Sequence, residues 1–202
     1  MTLDSFRPLA DRVVRPLIRG ARRVGLTPNL ISGLALVVAA GAGVAFAFAR
    51  TEPLLYLAGA VLIVVNGFMD VLDGELAREM EIESDAGDLF DHVVDRYADI
   101  LILAGLTASV EQYLLGFAAI TGVLMTSYLG TQAQAVGLDR VYGGLLGRAD
   151  RLALATAVTV AAAFFQNELY GLTVVGWLLV VFAVVGHLTA VQRFYYSMGE
   201  LD

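Results

Sequence analysis

Six apolar runs divide this chain, at about 29–49, 54–79, 86–108, 111–135, 150–166 and 170–195. Several of them reach the roughly 20 residues that a helix needs to cross a hydrocarbon core about 30 Å thick. Lipid offers no hydrogen bonds to an exposed backbone, so a spanning segment must satisfy its own N–H and C=O groups as a helix. The expected fold class is an all-α integral membrane protein with six transmembrane helices. Composition agrees: the 202 residues are 58% hydrophobic, above the roughly half-apolar make-up of soluble domains.

The segment before the first run has a different pattern. Residues 1–25 interleave Arg7, Arg12, Arg15, Arg19, Arg22 and Arg23 with Phe6, Leu9, Val13, Val14, Leu17 and Ile18. That spacing predicts an N-terminal amphipathic helix lying in the headgroup layer, its arginines facing lipid phosphates. Gly25-Leu26-Thr27-Pro28-Asn29 ends it, with Thr27 and Pro28 supplying a cap and a first helical position for the next helix. No internal repeat or second soluble domain is visible. Residues 1–202 therefore read as one domain, with an interfacial helix at 1–25 and a six-helix bundle at 29–195.

Arginine placement orients the bundle. The N-terminal segment is rich in it, and Arg78, Arg140, Arg148 and Arg151 lie in or beside the connections after the second and fourth helices, whereas Arg50 stands on the other side. The positive-inside rule places both termini, and the acidic stretch described next, on the cytoplasmic side of a cell membrane.

The chain has no cysteine and two histidines, His92 and His187. Disulfides, thiolate catalysis and thiol-ligated zinc are excluded, so any metal must be held by oxygen. Oxygen is concentrated in DVLDGELAREMEIESDAGDLFDHVVD, residues 70–95, where ten of 26 positions are Asp or Glu. Asp70 and Asp73 are three apart at the end of the second helix, and Asp91 and Asp95 four apart at the start of the third. Each spacing puts both side chains on one helical face. The short linker forces a hairpin in which the four carboxylates converge.

Charge at membrane depth costs about 2.5–3.5 kcal/mol per group even on lenient scales, so this quartet calls for a cationic ligand, one hard divalent ion or a pair. Two carboxylate-bridged ions are a device for in-line phosphoryl transfer. Gly74 and Gly87 leave room for a ligand near the backbone, and Arg78 adds a permanent cation suited to a diphosphate. Glu75, Glu79, Glu81, Glu83 and Asp85 read as solvated interfacial charge.

The pattern Asp70-x2-Asp73-Gly74-x2-Ala77-Arg78-x8-Gly87-x3-Asp91-x3-Asp95 resembles the signature of the CDP-alcohol phosphotransferase family at every specified position. The resemblance implies an enzyme that moves a substituted phosphoryl group from a CDP-linked lipid, CDP-diacylglycerol or CDP-archaeol, to the hydroxyl of a small polar alcohol, releasing CMP. It implies Asp70, Asp73, Asp91 and Asp95 as ligands of two Mg2+ or Mn2+ ions, with Asp95 also the general base. Gly74 and Gly87 would border the cytidine nucleotide and Arg78 would hold its diphosphate. It also implies a homodimer and no nucleic-acid partner.

For the acceptor, Asp95-Arg96-Tyr97-Ala98-Asp99, Ser127-Tyr128, Gly147-Arg148-Ala149-Asp150-Arg151 and Arg193 resemble the branch of the family that uses inositol phosphate. Arg148, Arg151 and Arg193 would bind the acceptor, unless they are topological or snorkelling charge. Gly130 and Gln132 stand where that branch carries basic residues, which leaves Gln132 as a neutral acceptor contact. A polyol phosphate, inositol phosphate or glycerol phosphate, ranks first as acceptor, with an unphosphorylated or amino alcohol such as serine as the alternative. A cation- or proton-coupled transporter is the reading from a different class.

Overall fold

The computed structural model describes residues 16–82, 84–138 and 146–201, and these are helical apart from short connections. Residues 16–23 form α1, followed by α2 (Pro28–Phe48), α3 (Leu55–Met80), α4 (Asp85–Val110), α5 (Tyr113–Ala135), α6 (Arg148–Ala162) and α7 (Val174–Leu201). The six long elements match the six apolar runs to within a few residues at most ends. The amphipathic helix expected over 1–25 is described only from residue 16, and its first fifteen positions, like Glu83 and Arg140, lie outside the described residues.

Length and apolarity alone qualify α2, α3, α5 and α7 as membrane-crossing helices. The other two fall short for different reasons. α4 has 26 residues, about 39 Å at roughly 1.5 Å per residue, but carries Asp85, Asp88, Asp91, Asp95, Arg96 and Asp99 between its start and its middle turns. α6 has 15 residues, about 22 Å, less than the hydrocarbon thickness. Both start at the end of the bundle where the acidic stretch lies.

Caps fix where the helices begin. Thr27 Oγ1 accepts the N–H of Leu30 at 3.3 Å, with Pro28 at the first position of α2. Ser84 Oγ accepts the N–H of Gly87 at 3.1 Å, and Asp85 and Asp88 complement the dipole of α4. Glu81, left-handed at φ 53°, closes α3, so the chain reverses between Met80 and Asp85.

Small residues decide which helices approach closely. α2 packs most extensively on α3 and α4, and α5 on α7. Ala35, Ala39, Ala42 and Gly43 line the buried face of α2, and a Cβ placed on Gly105 of α4 would overlap the backbone of Gly43. Glycine at this crossing lets the two backbones touch, the usual means of close helix association in lipid. Between α5 and α7, Thr126 Oγ1 donates to the Gly186 carbonyl at 2.8 Å. The main core runs through α2 to α7 around Phe46, Tyr56, Ile63, Leu106, Val123 and Leu179. A second cluster, Ile18, Ala21, Ile31 and Leu76, docks α1 beside the end of α3, and Arg22 pairs with Glu79 at 3.0 Å.

Candidate active site

The reversal between α3 and α4 lays the end of one helix against the start of the other. Asp70, Asp91 and Asp95 each offer a carboxylate oxygen, and these three atoms lie within 4.8 Å of one another. Asp73 faces the same cavity but has a separate neighbour: Ser32 Oγ on α2 donates to its Oδ2 at 2.5 Å. Asn66, one turn before Asp70, ties α3 to α2 by donating from Nδ2 to the Ala35 carbonyl at 2.9 Å. The acidic end of α3 is thus held by polar bonds to α2.

A cavity of about 540 Å³ opens over these carboxylates. Its walls are Thr27, Pro28, Asn29 and Ser32 from the start of α2, Gly74, Ala77 and Arg78 from α3, and Ser84, Gly87 and Asp88 around the start of α4. A Cβ on Gly74 would meet nothing nearer than Arg78 Nη2 at 3.8 Å, so the missing side chain leaves cavity space. Arg78 donates from Nε to the Gly74 carbonyl at 3.2 Å and pairs with Glu75 at 2.9 Å. The Arg78 side chain as a whole remains exposed. Gly74 and Gly87, predicted to border the cytidine nucleotide, and Arg78, predicted to hold its diphosphate, therefore line the same cavity.

Cations approach from the opposite side. Arg148, the first residue of α6, places Nη1 2.8 Å from Asp70 Oδ2 and Nη2 2.7 Å from Asp95 Oδ1. Arg151, one turn later, pairs with Asp99 at 3.1 Å, and Arg96 lies 3.5 Å from Asp95. Five carboxylates, Asp70, Asp73, Asp91, Asp95 and Asp99, thus face three guanidiniums. The remaining negative charge, together with a three-oxygen donor set, fits a hard divalent cation, which would be held by Asp70, Asp91 and Asp95 with Asp73 adjoining.

The predicted acceptor residues separate in space. Arg148 sits on the carboxylates, and Arg151 is buried behind it against Asp99. Arg193 on α7 donates from Nη1 to the Thr126 carbonyl at 2.7 Å and is outside the cavity wall. Gln132, on the last turn of α5, is exposed and also off that wall. His92 is engaged with its own helix, its Nδ1 2.7 Å from the Asp88 carbonyl, and His187 lies 3.4 Å from Thr121 Oγ1.

Asp99, Ser32 and Arg96, all at the centre, were not among the predicted site residues. Asp99 continues the four-residue spacing of Asp91 and Asp95 by one more turn, and that periodicity is its signal in the sequence. Ser32 has no such signal, because it is a lone hydroxyl in an apolar helix.

The CDP-alcohol phosphatidyltransferase family profile matches residues 25–186, which contain every residue of this cavity. The chain belongs to that family. It is a phosphatidyltransferase, as the aspartate signature implies. Archaetidylinositol phosphate synthase of Methanothermobacter thermautotrophicus is 30% identical over 200 residues, covering 98% of this chain and 95% of that protein. Phosphatidylinositol phosphate synthase of Mycobacterium marinum is 32% identical over 193 residues, covering 91% and 79%. Phosphatidylinositol phosphate synthase of Mycobacterium tuberculosis with CDP-DAG bound superposes with a TM-score of 0.75 at 25% identity, covering 92% of this chain and 94% of that one. The same enzyme in complex with manganese and citrate gives 0.76, covering 92% and 88%. These relatives give the transporter alternative no support.

Proposed function

We propose that this phosphatidyltransferase transfers the lipid-bearing phosphoryl group of a CDP-linked lipid to a hydroxyl of inositol phosphate and releases CMP. The observation that carries the reading is the cluster of Asp70, Asp91 and Asp95 in a cavity that Gly74, Arg78 and Gly87 also line. The relatives' names supply the acceptor.

Each side chain then has a task. Asp70, Asp73, Asp91 and Asp95 hold two divalent cations, Mg2+ or Mn2+, which when bound neutralise the diphosphate and polarise the phosphorus under attack. Arg78 clamps the diphosphate, and the cytidine nucleotide lies along Gly74 and Gly87. Asp95 takes the proton of the acceptor hydroxyl as its oxygen bonds to the lipid-bearing phosphorus and the anhydride P–O bond to CMP breaks. Arg148 serves the acceptor phosphate, backed by Arg151 on Asp99, while Arg193 and Gln132 stand off the cavity wall.

The same reading makes residues 1–202 a single unit with six membrane spans. The charged half of α4 and the short α6 line the polar site rather than lipid. Both termini and the site face the cytoplasm, and two copies pair as a homodimer.

The test is CMP release by purified protein given CDP-diacylglycerol or CDP-archaeol, Mg2+ or Mn2+, and inositol phosphate, glycerol phosphate or serine in separate reactions. Metal-dependent CMP with inositol phosphate, abolished by Asp95→Asn, is expected. CMP appearing only with serine would replace the acceptor, and its absence with every pair would remove the proposal.

A further inference from the structure

Arg148 has one guanidinium and three carboxylate neighbours on two other helices. Its Nη1 and Nη2 bridge Asp70 on α3 and Asp95 on α4, while its Nε stands 3.7 Å from Asp99 Oδ1, beyond hydrogen-bonding reach. That Nε is a buried donor with no hydrogen-bond partner, and so is the Nε of neighbouring Arg96. Buried donors left unpaired are costly, so two beside one carboxylate indicate an arrangement that a ligand with more acceptor oxygens would improve. A phosphate has that chemistry.

The bridged carboxylates matter as much as the unpaired donors. Asp70 and Asp95 are two of the three whose oxygens come within 4.8 Å of one another. A fixed guanidinium and a divalent ion draw on the same negative charge, and each opposes the other's approach. Whatever removes the guanidinium from the carboxylates therefore favours the ion.

We propose that Arg148 is a specificity-determining residue with two positions, one on Asp70 and Asp95 and one on the acceptor's phosphate. The inference rests on the proposed function and extends it. A phosphorylated acceptor takes the guanidinium and leaves the carboxylates to the divalent cation, so phosphate and cation tighten each other's binding by the same factor. An alcohol without phosphate leaves Arg148 on the carboxylates. Discrimination against it then operates through weaker cation binding as well as through lost acceptor contacts.

Mn2+ binding to the full chain in nanodiscs, followed by the paramagnetic resonance of free Mn2+, tests this without relying on turnover. Inositol phosphate should tighten Mn2+ by about tenfold, within the 5- to 150-fold range of typical couplings, after correction for Mn2+ taken up by inositol phosphate alone. Free inositol should leave the affinity unchanged. Arg148→Gln should bind Mn2+ about tenfold more tightly than wild type and lose the coupling, since the competing charge is gone. Equal Mn2+ affinity of wild type with and without inositol phosphate overturns the inference, and that arm needs no variant. Weaker Mn2+ binding by Arg148→Gln also overturns it, because a fixed strut that orients Asp70 and Asp95 would give that result. In either case CMP release by wild type from inositol phosphate keeps the proposed function standing, whereas its absence removes both.

Discussion

Arg151 and Asp99 meet at 3.1 Å across α6 and α4, and both are almost fully buried, at 8% and 5% exposure. The pair stands directly behind the carboxylate cluster, where Arg148 and Arg96 also approach Asp99. Breaking a buried ion pair by removing one partner costs about 3–5 kcal/mol, because a charge is left uncompensated. Asp99→Asn and Arg151→Gln are each expected to destabilise the protein by that order. The double variant should cost clearly less than the two losses added together. Unfolding of the four proteins in one detergent measures it, and simple additivity would show that the pair is not coupled.

Ser32 is the α2 contact of Asp73, its hydroxyl donating at 2.5 Å to a carboxylate that is 6% exposed. Hydrogen bonds to charged groups contribute about 1.5–3 kcal/mol. Ser32→Ala should lower stability by about that much and slow CMP release, while Ser32→Thr should retain part of both by keeping the hydroxyl. Full activity and unchanged stability in the alanine variant would remove Ser32 from the account of the site.

The α2–α4 contact at Gly43 and Gly105 has no room for a side chain. Gly105→Leu is expected to cost more than about 3 kcal/mol, since the helices carrying the site must separate. Gly33→Ala on the same α2, where an added Cβ meets nothing within 4 Å, should be nearly silent. Comparable folded yields for both variants would contradict this packing.

Gln132 is exposed and away from the cavity wall. Substitutions at such positions change free energies by about 0.5 kcal/mol, a factor of roughly two to three. Gln132→Arg should therefore alter the KM for inositol phosphate by no more than about threefold. A tenfold fall would instead make Gln132 a direct acceptor contact.

Most of the scaffold is legible in the sequence. Apolar runs of helical length leave the backbone one way to satisfy itself in lipid, and Thr27, Pro28 and Ser84 mark the starts of α2 and α4 by local chemistry alone. Aspartates at intervals of three and four share a helix face wherever that helix packs. The hairpin and its converging carboxylates are accordingly visible before any tertiary contact is known. α6 is the weaker case: its apolar run extends to 166, yet the helix stops at Ala162, with Phe164 and Phe165 exposed in the connection to α7.

Arg148, Arg151 and Arg193 show where that legibility stops. In the sequence they form one set, three arginines in the second half with a shared phosphate-binding expectation. In the fold each answers to a different neighbour: the carboxylates of α3 and α4 for Arg148, buried Asp99 for Arg151 and the Thr126 carbonyl for Arg193. A long charged side chain can reach several partners from one backbone position, so its partner depends on which helices pack beside it.

The sequence by itself determined the helices, the helical faces shared by Asp70 with Asp73 and by Asp91 with Asp95, and the aspartate signature of the family, because these follow from local periodicity and from the cost of unpaired backbone and charge in lipid. Only the tertiary structure decided that Ser32 serves Asp73 and that Arg148 bridges Asp70 and Asp95. Those contacts join residues far apart in the chain, and they exist because close helix packing brings each donor within hydrogen-bonding distance of its carboxylate.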